Sequence, residues 1–201
     1  MKIHHSPASP FVRKVMVCAA ELGQRIERLP SAAGPVARDR TIVASNPLGQ
    51  VPTFFADDGT ALYDSRVICE YLDARAGGGK LFPAPGPARW RALVEQSLGD
   101  GVLDAALLAR YETVLRPADK RWQDWYDGQM DKVGCGLDRA LEWAPGFGER
   151  VDIGTITLGC ALGYLDFRYP DLPWREGRDA LARWFERFGA RPSMAATRPS
   201  A

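Results

Sequence analysis

The chain of 201 residues carries 26 Lys and Arg against 25 Asp and Glu, a formal net charge of +1, with 46% hydrophobic and 25% charged residues. A balance this close to neutral leaves no electrostatic footprint for a nucleic-acid backbone or an anionic membrane. The composition is that of an ordinary soluble globular protein, long enough for one large domain or two small ones and far from the disordered and disulfide-dense classes.

Met1 to Pro7 contain no apolar run of signal-peptide length, and no later run approaches the roughly 20 apolar residues that cross a bilayer, so a cytoplasmic protein is expected. Lys2 to His5 is a short strand candidate. A helix is expected from Pro10, a residue tolerated in a first turn. Phe11, Val15, Cys18 and Leu22, flanked by Val12, Met16 and Ala19, make one broad apolar stripe before Gly23 stops it. Ile26 to Leu29 reads as a second strand, Val36 to Ala44 as a short helix, and Val51 to Phe55 as a third strand entered through Pro52. Asp57-Asp58-Gly59 is a hairpin signal before a brief strand at Ala61 to Tyr63. Asp64 or Ser65 then caps a helix whose expected core face is Val67, Ile68, Tyr71 and Leu72. The order is β-α-β-α-β-β-α.

Residues 77–87 hold Gly77-Gly78-Gly79 and then Pro83, Pro85 and Pro87, a run that cannot continue a helix and reads as a connection between domains. Beyond it the helical period dominates, over about 88–115, 118–144, 152–168 and 177–189, with Pro117, Pro145, Gly146 and Pro170 as separators. The packed face of the first of these is expected at Trp90, Leu93, Val94, Ser97, Leu98, Leu103, Leu107 and Leu108, with Gly99 and Gly101 weakening its middle. The expected domains are therefore 1–76 and 88–201, an α/β unit and an all-helical one. Cys18, Cys69, Cys135 and Cys160 are dispersed and form no Cys-x-x-Cys pair, and His4 and His5 are neighbours on a strand whose side chains alternate faces. No metal site is expected.

Three segments can carry chemistry. Ser6-Pro7-Ala8-Ser9-Pro10-Phe11 runs from a strand end into a helix start, where unpaired amides and the helix dipole favour an anion such as a thiolate. Ser9 is equally an ordinary N-cap. In Asn46-Pro47-Leu48-Gly49-Gln50-Val51-Pro52-Thr53-Phe54, a cis Val51-Pro52 bond would present the Val51 main chain to a peptide-like ligand, as an added strand is held. The plain alternative is a loop-to-strand junction. In Leu62-Tyr63-Asp64-Ser65-Arg66, the helix start and the Ser65 hydroxyl can hold a carboxylate and Asp64 an ammonium group, although capping accounts for either residue alone.

Taken in order and at these separations, Ser9 to Lys14, Asn46 to Phe54 and Leu62 to Leu72 resemble the three glutathione-site segments of the cytosolic glutathione S-transferase superfamily. The resemblance spans essentially the whole chain and implies a thioredoxin-like N-terminal domain followed by an all-α helical C-terminal domain. It implies glutathione as co-substrate, no metal and a homodimer. Pro52 then corresponds to the cis-proline, Val51 to the residue whose main chain pairs with the cysteinyl unit, Asp64 and Ser65 to the pair that holds the γ-glutamyl end, and Gln50 to an additional contact. Ser9 occupies the place of the activating Ser or Cys, with Ser6 as the alternative. Phe11, Leu107, Arg110 and Tyr111 are the residues expected on the acceptor side.

The implied activity is transfer of glutathione to a small hydrophobic electrophile. A thiol with pKa near 8.5 is only a few per cent ionised at neutral pH, so the site must favour the thiolate. A hydrogen bond from the Ser9 hydroxyl, added to the amides at the start of the helix, does so. Serine rather than cysteine at position 9 separates this expectation from thiol-transferase chemistry. Two other readings stay open at this point: a noncatalytic glutathione-binding or protein-interaction module, and a glutathione-dependent peroxidase or reductase. Asp152-Ile153-Gly154-Thr155 reads as a helix cap, with Asp152 accepting from main-chain amides and Thr155 returning a contact.

Overall fold

In a computed structural model that describes residues 1–200, the chain forms two compact units, one of Met1–Arg89 with the segment from Pro192 and one of Trp90–Arg191. In the first unit, β1 (Lys2–His5) is flanked by β2 (Glu27–Pro30), parallel to it, and by β3 (Thr53–Phe55), antiparallel to it; β4 (Ala61–Leu62) extends the sheet antiparallel to β3. The strand order is β2-β1-β3-β4. Helices α1 (Pro10–Glu21) and α3 (Ser65–Arg75) fall where the sequence places them, α2 (Arg40–Val43) is shorter than expected, and α1 packs on α3. Their buried stripes include Val12, Val15, Cys18, Ile68 and Leu72 over Ile3 and Phe54 of the sheet. This is the expected thioredoxin-like arrangement.

Several details differ from expectation. The first short helix begins only at Arg40, capped by the Asp39 carboxylate, because Val36 is solvent-exposed and gains nothing from helical packing. The third strand starts at Thr53, since Pro52 has no amide to give the ladder. Val67 is 49% exposed and does not belong to the core face of α3; Cys69 and Asp73 take that face with Ile68 and Leu72. The segment from Pro192 forms α8 (Pro192–Ala195) and returns to the first unit, although its place in the sequence is among the helices. An Arg13 Nη2 donates to the Met194 carbonyl at 3.2 Å and the Ser193 hydroxyl to Glu21 Oε1 at 2.5 Å, which fixes it there.

The second unit is helical: α4 (Pro87–Val114) from Trp90 onward, α5 (Gln123–Trp143), α6 (Ile153–Arg168) and α7 (Asp179–Gly189). Helix α6 is buried on every side from Ile153 to Leu165 and is the core of this unit. Asp152 Oδ1 accepts from the Thr155 amide at 3.1 Å and Thr155 Oγ1 from the Asp152 amide at 3.0 Å, the reciprocal cap expected there. Helix α5 starts five residues later than expected. A 3₁₀ turn at Ala118–Lys120 precedes it, and buried Glu112 holds the turn by accepting from the Trp122 amide and from Arg116, both at 2.8 Å.

The expected packed face of α4 is corrected most. Trp90, Val94 and Leu108 are 66%, 56% and 42% exposed, and Ser97 is exposed too; only Leu103 of the expected set is fully buried. The buried face is Ala92, Glu95, Gln96, Gly99, Asp100, Val102, Ala105, Ala106 and Ala109 with it. Small residues allow α6 to approach: a Cβ on Gly99 would stand 2.8 Å from Thr157 Cγ2 and 3.1 Å from its carbonyl carbon. The buried Glu95 carboxylate is answered by Arg150 at 2.8 Å.

Candidate functional site

The topology gathers three loops at one end of the sheet. His4 of β1 stands opposite Thr53 of β3, and Phe54 opposite Leu62 of β4, so the C-terminal ends of β1 and β4 and the N-terminal end of β3 share an edge. The chain leaves β1 into Ser6–Ser9 and α1, enters β3 through Val51-Pro52, and leaves β4 into Tyr63-Asp64 and α3. Ser9, Val51 and Ser65 are therefore brought to one place by register alone, and both helices present their amino ends there.

At the first loop, the Ser9 amide donates to the Ser6 carbonyl at 3.1 Å and the Val12 amide to Ser9 Oγ at 3.3 Å. Ser9 is half-buried and is the N-cap of α1, with Pro10 in the first turn. Its oxygen accepts, and among the described residues its proton is committed to no acceptor. Ser6 contributes its carbonyl to this turn, and among the described residues its hydroxyl has no hydrogen-bond partner. Beneath the loop lie two buried cations, Arg13 and Lys14, the latter 5.9 Å from the centre of the Phe11 ring.

At the second loop the Val51–Pro52 peptide is cis. None of the turn and loop hydrogen bonds among the described residues uses the Val51 main chain. Asn46, 1% exposed, ties the loop together: its Nδ2 donates to Thr53 Oγ1 at 2.9 Å and to the Gln50 carbonyl at 3.3 Å, and its Oδ1 accepts from the Leu48 amide at 3.1 Å. Gly49 adopts φ 65°, and a Cβ there would press Val43 Cγ2 at 3.1 Å. The Gln50 side chain is exposed.

At the third loop the Tyr63–Asp64 peptide is also cis. Asp64 Oδ1 accepts from the Arg66 amide at 2.9 Å and Asp64 Oδ2 from Arg66 Nη2 at 2.7 Å. Partial burial works to raise the Asp64 carboxyl, but the Arg66 hydrogen bonds, with the charges of Arg66 and Lys14, outweigh it and hold the group below the ordinary aspartate range. Ser65, the first residue of α3, is 3% exposed, and among the described residues its hydroxyl has no hydrogen-bond partner. Among the described residues the loop ends thus present a Val51 main chain outside the loop hydrogen bonds, two hydroxyl groups and one carboxylate, groups of the kind that pair with the polar atoms of a short peptide.

Residues 3–80 match the model of the glutathione S-transferase N-terminal domain, and residues 105–187 match that of the C-terminal domain. The chain belongs to the glutathione S-transferase family. It is similar to a glutathione transferase family member from Pseudomonas fluorescens Pf-5 solved with bound glutathione, at 47% identity over 100% of this chain and 99% of that one, with a TM-score of 0.96. A structure of a family member from the same organism holds S-(propanoic acid)-glutathione, at 46% identity, full coverage of both chains and a TM-score of 0.91. The uncharacterized GST-like protein YibF of Escherichia coli K12 is 32% identical over 99% of this chain and 98% of its own length.

In this transferase-family chain the expected acceptor residues fall in different units. Half-buried Phe11 lies on α1, while half-buried Leu107, Arg110 and Tyr111 lie on α4. Arg110 and Tyr111 share their surroundings with Tyr164 and Arg168 of α6 and with Tyr169. Sequence reading missed Asn46, Lys14 and Arg168. An Asn-Pro turn signal marks the first; nothing local marks a buried lysine on an apolar stripe or an arginine at a helix end. Among the described residues no three His, Cys, Asp or Glu side chains gather as a metal site, and no helix is long and apolar enough to cross a membrane.

Proposed function

We propose that the chain is a glutathione transferase that ionises the glutathione thiol at the amino end of α1 and passes the sulfur to a small hydrophobic electrophile. The observation that carries this reading is the convergence of Ser9, Val51 and Ser65 at one end of the sheet, with the main chain of Val51 and the protons of both hydroxyls uncommitted among the described residues. Val51 pairs with the cysteinyl unit, as a strand is added to a sheet edge. The Ser65 hydroxyl and the α3 amides take the γ-glutamyl carboxylate, Asp64 takes its ammonium, and Gln50 reaches the tripeptide from the rim. The Ser9 hydroxyl, already accepting from Val12, donates its proton towards the sulfur, and each pKa unit by which it favours the thiolate is about 1.4 kcal/mol. Glutathione held by the Pf-5 relative, and a glutathione thioether held by its counterpart, support binding of the tripeptide and formation of a C–S bond.

Phe11, Leu107, Arg110 and Tyr111 are assigned to the electrophile. A homodimer in the cytoplasm accompanies this reading, supported by Trp90 and Val94, large apolar side chains one turn apart on α4 that are more than half exposed. Retention on immobilised glutathione, followed by conjugation of a chloronitrobenzene, tests the function. Retention without turnover of any electrophile in a broad panel would leave a binding module, and no retention would end the reading. Light scattering at micromolar concentration tests the dimer.

A further inference from the structure

The segment from Pro192 belongs to the first unit and runs antiparallel along α1, back to the loop that carries Ser9. The Ser193 hydroxyl donates to Glu21 Oε1 at 2.5 Å at the far end of that helix, Arg13 Nη2 donates to the Met194 carbonyl at 3.2 Å nearer its start, and the Ser200 amide donates to the Pro7 carbonyl at 3.4 Å inside the loop. Thr197 Oγ1 donates to the Ser193 carbonyl at 2.8 Å and carries the turn on beyond α8. Met194 is fully buried, and Arg13 is the one buried arginine among the described residues. Its Nε and Nη1 have no hydrogen-bond partner, so the Met194 carbonyl is the single acceptor that this guanidinium finds. A segment of this kind keeps one course only where it is tied down, and these contacts tie it to α1.

Ser6 to Ser9 form a tight turn whose other hydrogen bonds stay inside it or go to α1: the Ser9 amide to the Ser6 carbonyl, the Val12 amide to Ser9 Oγ and the Arg13 amide to the Ser9 carbonyl at 3.0 Å. Among the described residues the Ser200 amide is the only hydrogen-bonding group from elsewhere in the chain that reaches residues 6–9. The helix therefore fixes the loop at Ser9, and the returning segment fixes it at Pro7, two residues away. A hydroxyl that must meet a developing thiolate is effective only while the backbone that carries it is held in place. We propose that residues 193–200 are a strap that positions the thiol-activating loop, with the Arg13 guanidinium as its seat and the Ser200 main-chain amide as its hold on Pro7. The proposal rests on the transferase reading above. It assigns the aim of the Ser9 hydroxyl to a second segment and leaves the hold on the tripeptide at Val51 and Ser65 unchanged.

The experiment titrates the thiol of bound glutathione through the ultraviolet absorbance of its thiolate, and measures the affinity for S-methylglutathione, which has no thiol proton to lose, by calorimetry. Ser200→Pro removes the one amide that reaches the loop, at an exposed position where the fold is not at stake, and Ser200→Ala keeps that amide. Met194→Ala loosens the buried seat. Ser200→Pro and Met194→Ala should each raise the pKa of the bound thiol by about half a unit to one unit and lower conjugation kcat/KM about three- to tenfold, the size of one neutral hydrogen bond. Ser200→Ala should match wild type, and the S-methylglutathione affinity should hold in all three variants, a split that a merely structural role would not produce. A thiol pKa unchanged in both Ser200→Pro and Met194→Ala overturns the proposal, and so does a loss of S-methylglutathione affinity as large as the loss of thiol ionisation. In either case wild type still binds and conjugates glutathione. Failure of wild type to do so overturns the transferase reading, and the strap with it.

Discussion

The Val12 amide donates to the Ser9 hydroxyl oxygen at 3.3 Å, so one side chain both caps α1 and keeps a proton to give. The two roles separate by substitution. Ser9→Ala loses cap and donor and should unfold about 1 kcal/mol more easily, whereas glycine is nearly as good a cap and Ser9→Gly should lose only a few tenths. Both should lower conjugation kcat/KM by about 10- to 100-fold, the worth of a hydrogen bond to an anion. The rising, acid-side limb of the pH–rate profile, which reports ionisation of the bound thiol, should move up by about one unit. Full activity in Ser9→Gly with loss in Ser6→Ala would transfer the donor role to Ser6.

Asp64 divides in the same way. Asparagine caps a helix as well as aspartate, so Asp64→Asn should change stability little while weakening glutathione binding about tenfold or more through loss of the charge offered to the ammonium. The folded-state carboxyl is held below its ordinary value of 3.8. Its favourable interactions are therefore complete above about pH 4 and fade as pH falls through the lower folded-state value. Glutathione affinity measured by calorimetry should lose a component below about pH 4 in wild type that Asp64→Asn does not show.

The backbone of the candidate site was legible in the sequence because its markers are local. Prolines at a strand entrance, capping residues after strand ends and a hairpin signal each report the backbone a few residues away, and β pairing then brings them to one edge. What resisted was burial without large apolar side chains. Helix α4 hides Ala92, Glu95, Gln96, Gly99 and Asp100 and exposes Trp90 and Val94, so an apolar count selects the wrong stripe. The second gap concerns buried polar groups whose partners lie in the loops folded around them. Asn46 and Asp73 look like surface residues until the loops they hold are folded around them.

Asp73 makes that point measurable. This carboxylate, 2% exposed on α3, accepts from the amides of Gly79, Lys80, Leu81 and Phe82 at 2.9, 3.1, 2.7 and 3.4 Å, so it fastens the glycine-rich connection to the helix. Removing it leaves buried amides unanswered, at about 1–3 kcal/mol for a group so stranded. Asp73→Ala should lower stability by about 3 kcal/mol, and Asp73→Asn, which keeps one accepting oxygen, by about half as much. The midpoint of urea unfolding checks both, and an unshifted midpoint in Asp73→Ala would refute the anchoring role.

Gly99 and Gly101 sit two residues apart on α4 and should respond to alanine with opposite signs. In an open helix position, glycine to alanine stabilises by about 0.5–1 kcal/mol through the lower entropy of the unfolded chain. Nothing lies within 4 Å of a Cβ at Gly101, so Gly101→Ala should raise stability by about that amount. At Gly99 the new methyl would meet Thr157 Cγ2 at 2.8 Å, and also the Thr157 carbonyl carbon at 3.1 Å and the Leu158 amide nitrogen at 3.2 Å, all in the buried helix α6. The Thr157 side chain is not free to turn away, because its hydroxyl donates to the Ile153 carbonyl at 2.6 Å and it is fully buried. Backbone must then move, and overpacking of this kind costs about 1–3 kcal/mol. Gly99→Ala should therefore melt several degrees below wild type and Gly101→Ala above it. Equal stabilisation by both would mean that α4 and α6 do not approach as closely as their glycine and threonine indicate.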